Sequence, residues 1–133
     1  MKVWISALLL TVLSACASTP VDLATAPYVS VDRVHATNLL EKGAGKVPVI
    51  ISYDHFQDIG TMSFTFYVDW EPVAYMREGE QLRIFLTPGR HILSAVAGKR
   101  KDSPFATTLV DHFTSDGEYH YRISPDGPQL IPM

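Results

Sequence analysis

An all-β fold, an antiparallel β-sandwich of about seven short strands, is what this sequence predicts, and three observations carry it. From Val47 onward apolar residues recur at alternate positions, the period of a strand with one buried face. The runs that alternate are rich in Val, Ile, Tyr and Phe, which suit a pleated surface. Gly, Pro and Asp clusters break the alternation at intervals of roughly 8–12 residues, the turn spacing of a sandwich or small barrel.

Val47 to Tyr53 is the first expected strand. Pro48 cannot donate to a ladder, so this strand is expected to begin here or to lie at an edge. Asp54 to Thr61 reads as a loop closed by Gly60. Ser63 to Asp69 alternates, with Phe64, Phe66 and Val68 toward the core and Ser63, Thr65, Tyr67 and Asp69 toward water. Trp70-Glu71-Pro72 turns the chain, Val73 to Met76 is a short strand, and Arg77 to Glu80 is a polar turn. Gln81 to Thr87 directs Leu82, Ile84 and Leu86 inward, and Pro88-Gly89 is a tight-turn pair. Arg90 to Ala97 and Phe105 to Phe113 follow as strands, bringing Leu93 and Leu109 to the core. Ser115-Asp116-Gly117 predicts a hairpin into a last strand, Glu118 to Ile123. Gln129 to Met133 is expected to be a loose tail.

Four regions result: a leader over 1–15, a tether with a possible helical turn over 16–45, the sandwich over 46–127 and a tail over 128–133. Ala17 to Pro27 is small, polar and proline-containing, the composition of a flexible tether. Ser30 to Lys42 admits two readings, a short helix ended by Gly43 or a loose extended segment.

The leader itself has a lysine followed by an apolar run, Val3 to Val12, the order of a secretory signal and too short to span a bilayer. It ends in Leu13-Ser14-Ala15-Cys16, which resembles a bacterial lipobox. The resemblance implies cleavage before Cys16, the only cysteine, and acyl chains on its sulfur. Ala17 stands where an aspartate would resemble the inner-membrane retention signal, so the expected location is the outer membrane, facing the periplasm. An ordinary cleaved signal or an uncleaved N-terminal anchor are the competing readings. With Cys16 acylated no thiol remains for a disulfide, and core packing alone must hold the domain in an oxidising compartment.

The stretch Phe66-Tyr67-Val68-Asp69, Val73-Ala74, Gly79 and Leu86-Thr87-Pro88-Gly89-Arg90-His91 resembles the PEGA-like β-modules of bacterial envelope proteins and small lipoproteins related to them. In those a strand carries a V-D-G element and a Pro-Gly-x-His turn opens a later strand. Here Trp70 stands where glycine is usual, and the Pro-Glu-Gly-Ala tetrad is missing. The likeness implies a β-sandwich and carries no activity with it.

The formal charge is −3, and −4 without Lys2, so no net basic field exists for nucleic acid. His35, His55, His91, His112 and His120 show no tight ligand spacing, and no metal or other cofactor is expected. No G-x-S-x-G elbow occurs, and Glu71, Glu78 and Glu80 beside turns are expected to be solvated. No catalytic residue is assigned. Lys99-Arg100-Lys101, together with the turn aromatics Trp70 and Tyr75, forms the expected interaction surface. The expected partners are the membrane, through lipid on Cys16, and another envelope protein. A cell-wall or small-ligand binding module is the alternative, and a lipid-anchored enzyme or enzyme inhibitor ranks below both.

Overall fold

Alternating apolar positions become strands in the computed structural model, which describes residues 19–55, 63–98, 106–124 and 129–133. The described residues form eight strands: β1 Val47–Tyr53, β2 Phe64–Val68, β3 Glu71–Met76, β4 Gln81–Leu86, β5 Gly89–Ala97, β6 Ala106–Phe113, β7 Tyr119–Ser124 and β8 Gln129–Pro132. They form two four-stranded sheets, ordered β4-β1-β7-β8 and β3-β2-β5-β6. The apolar faces meet in one core that includes Phe64, Phe66, Val68, Leu82, Ile84, Leu86 and Leu93, with Leu109 packed at its margin. Tyr53 and Phe64 touch edge to face across it with ring centroids 5.1 Å apart, and Phe113 meets Tyr119 in the same way at 4.6 Å.

Several expectations are corrected. The tail is a strand: Leu130 is its buried apolar residue and pairs with Ile123, completing the core beside β7. The sheets are not purely antiparallel, since β1 and β7 run parallel from Val49↔Tyr119 to Tyr53↔Ile123. The segment after β6 is therefore no hairpin; it carries the chain from one sheet to the other. Pro48 sits near the start of its strand, but β1 is interior. The β7 ladder begins only at Val49, so the missing proline donor falls before it. β2 is buried on both faces, Thr65 and Tyr67 included. The Thr65 hydroxyl donates to the Gly98 carbonyl at 2.6 Å, which satisfies it there.

From Thr19 on, the expected tether is packed against the sandwich. Thr19 and His55 exchange two backbone hydrogen bonds of 2.8 Å. The Gln81 side chain, itself buried, donates to the carbonyls of Leu23 and Ala26, both at 2.8 Å. Ser30 to Lys42 is neither a helix nor loose: two 3-10 turns, Val31–Arg33 and Thr37–Leu40, flank a short stretch that binds β3. Val29 and Val34 plug into the core, and Arg33 grips Glu80 with both guanidinium nitrogens. Glu80, expected in solvent, is buried in that pair.

The strand directions sort the turns into two ends. Tyr53, the Arg77–Glu80 turn, Gly98 and Ser124 gather at one, since Ser52 pairs with Gln81, Tyr53 with Ile123, and Phe64 with both Met76 and Ala97. Asp69-Trp70, Thr87 to Gly89 and Phe113 gather at the other. These are called the Tyr53 end and the Trp70 end.

Candidate functional site

A sheet edge carries unpaired N–H and C=O groups and must be covered or used. Four edges exist here. The β4 edge is met by Pro27 and Val29, which exchange 2.9 Å backbone bonds with Gln81. The β3 edge is met by His35 and Ala36, whose amides both donate to the Val73 carbonyl. Val73 is the extra residue of a bulge opposite Phe66 and Tyr67, which turns its carbonyl outward. The β8 edge is four residues long and carries Pro132. The β6 edge is different. Ala106–Phe113 pairs with β5 over eight consecutive residues without a bulge and, among the described residues, pairs with no other strand. It contains no Lys and no Pro, and Val110 is 47 % exposed.

Beside this edge lies the outer face of the same sheet. The register aligns Thr65, Val96 and Ala106 in one row and Tyr67, Ser94 and Thr108 in the next. Trp70, with Tyr67, Ser94, Val96, Ala106 and Thr108, lines a hollow of about 80 Å³, room for one small aliphatic side chain. An edge that pairs with no other strand among the described residues, next to an apolar hollow, is what an added strand needs: the ladder supplies affinity and the hollow receives an alternate side chain.

Trp70 reaches that position at a cost. Asp69 and Trp70 are the two central residues of the β2–β3 turn, with φ of 49° and 67°. Two-residue hairpins of this hand favour Asn-Gly, and the left-handed region costs an L-residue roughly 1–2 kcal/mol. The neighbours hold the turn in place. The Asp69 amide donates to the Ile92 carbonyl at 2.8 Å, and the Ile92 amide donates back to Asp69 Oδ1 at 2.9 Å. Asp69 Oδ2 lies 2.7 Å from His91 Nδ1, and His91 Nε2 lies 2.7 Å from the Thr87 carbonyl. Partial burial pushes the Asp69 pKa up, but the Ile92 amide and His91 outweigh it and hold it below the ordinary value. The Asp-His pair looks like a base with its orienting carboxylate. Its remaining nitrogen is spent on a backbone carbonyl, and Thr87 Oγ1 is 3.4 Å away, beyond good hydrogen-bond range for a nucleophile. The trio ties two turns together.

The other expected residues are dispersed. Tyr75 is half-buried and lines a separate groove of about 440 Å³ with Arg33, His35, Tyr67 and Pro72. Trp70 and Tyr75 thus share Tyr67 as a neighbour but not a hollow. Cys16, Lys99, Arg100 and Lys101 lie outside the described residues. His112 and His120 belong to different sheets; His120 Nε2 meets Ser52 Oγ at 3.0 Å. Burial, then the charge of Arg122, holds the His120 pKa below its ordinary value. Among the described residues no three His, Cys, Asp or Glu side chains converge as metal ligands would. A third cleft, about 460 Å³, opens at the Trp70 end between Leu39, Val73 and Leu86, rimmed by Lys46, Glu71 and His91.

Alternation identified seven of the strands but not their order, so the β6 edge was invisible in it. The signal for the Asp69 turn was present: a position that takes glycine in similar modules is a position of positive φ. No family model, curated protein or solved structure matches the chain, so the geometry of these residues carries the functional argument.

Proposed function

We propose that this chain is a bacterial lipoprotein, anchored in the outer membrane by acyl chains on Cys16, whose β-sandwich binds another envelope protein and catalyses no reaction. The lipobox-like Leu13-Ser14-Ala15-Cys16 supports the anchor. The observation that carries the binding is the contrast between edges: two are covered by the chain itself, one is short and ends in proline, and β6 is long and unpaired among the described residues. The partner is an extended segment that lies along β6 and directs a small apolar side chain into the hollow beside Trp70.

A photoreactive amino acid at Thr108 or Val110 is expected to yield one dominant adduct in intact cells. The same group at the exposed Arg83, on the other sheet, is expected to yield none. Thr108→Lys adds a charge to the edge and is expected to abolish the Val110 adduct while lowering the thermal midpoint only slightly, through loss of the 3.3 Å contact with the Ser94 hydroxyl. Equal adducts at Arg83 and Val110 would refute strand addition.

The 460 Å³ cleft supports a second reading, a cell-wall or small-ligand site, because its size suits a small molecule and its floor is apolar with a polar rim. Co-sedimentation with purified peptidoglycan that Lys46→Ala removes and Thr108→Lys does not would favour it.

A further inference from the structure

The anchor and the fold together set an orientation. Thr19 is bound to His55 by two backbone hydrogen bonds, and His55 follows β1 directly at the Tyr53 end. Only Ala17 and Ser18 lie between Cys16 and Thr19, and three residue steps reach at most about 11 Å. The tether is therefore short, and it leaves the body at one end. From Phe64 to Val68 the chain rises about 13 Å away from that end, and the Asp69-Trp70 turn lies beyond. We infer that the Tyr53 end of the sandwich, with His55, Arg77 and Gly98, rests against the bilayer, and that the Trp70 end with its open cleft points away from it. This rests on the acylation of Cys16 proposed above.

The inference also fixes how β6 is presented. Ala106 starts at the Tyr53 end and Phe113 finishes at the Trp70 end, so the open edge runs outward along the membrane normal. A strand added there extends away from the lipid, and its donor reaches the site from the space beyond the Trp70 end.

The chain offers its own probe. Its two tryptophans are Trp4 and Trp70, and cleavage before Cys16 leaves Trp70 alone. The mature acylated protein is bound to vesicles of phosphatidylethanolamine and phosphatidylglycerol that carry a headgroup-spin-labelled phosphatidylcholine. Trp70 emission is expected to be unchanged by the labelled lipid and quenched by acrylamide in solution. The double variant Arg77→Trp, Trp70→Gly moves the fluorophore to the Tyr53 end and is expected to lose most of its emission to the labelled lipid. A Gly-Ser insertion between Cys16 and Thr19 is expected to reduce that loss. Failure of the mature protein to float with vesicles would overturn the anchor and the inference with it. Flotation with Trp70 quenched as strongly as the fluorophore at position 77 would overturn the orientation alone.

Discussion

At Trp70 a bulky side chain occupies a backbone conformation that glycine adopts freely, and it is 55 % exposed, so core packing does not account for it. Trp70→Gly is expected to stabilise the protein by about 1 kcal/mol, read from denaturant midpoints, and to weaken the β6 adduct, since it removes one wall of the hollow. His120 gives a pH dependence with a definite sign. Its folded pKa lies below its ordinary 6.5, so between the two the unfolded chain binds more protons and stability rises with pH. The contribution is complete above 6.5 and is lost as pH falls below it. Denaturation at neutral and mildly acidic pH is expected to show this loss, and His120→Gln to reduce it. The aromatic at the turn was legible in the sequence from its position between two alternating runs. The partner of His120 was not, because it comes from a strand 68 residues away.

Elements were read well wherever side chains alternate against a core. β1 spans the expected residues, and β2, β4 and β5 differ from expectation only at their ends. What failed depends on contacts between elements. The run from Ala17 to Pro27 has no hydrophobic period, and its order from Thr19 on comes from Gln81 and His55, neither of which lies near it in sequence. Gln129 to Met133 is too short to show an alternating period, and β8 forms because β7 offers a ladder. Gln81→Ala is expected to cost about 1–2 kcal/mol, since it leaves two carbonyls without their donor. Limited proteolysis should then cut between Val21 and Pro27 faster than in the parent protein.

Over the whole molecule the Tyr53 end is fastened by ion pairs that alternation could not reveal. Asp54 is fully buried at the Tyr53 end and receives Arg122 Nε at 3.1 Å and Nη2 at 2.5 Å. The Asp54 amide also donates to the Ile123 carbonyl. Arg122→Ala removes the cation that faces a fully buried carboxylate and is expected to destabilise the fold by roughly 3–5 kcal/mol, a large share of what a domain this size has. The Arg33 to Glu80 pair fastens the N-terminal segment to the turn after β3, so the Tyr53 end is cross-linked by charge as well as by the Thr19 bridge.

That N-terminal segment works as a hem. Residues 27–36 pass from Gln81 at the start of β4 to Val73 and Ala74 in β3 and bridge the flank between the sheets. A version trimmed to begin at Lys46 would keep every strand and lose the stitching, exposing two raw borders at once. Such a fragment should self-associate through the side where the native chain is finished, and a synthetic peptide of residues 19–40 added back should dissolve those aggregates.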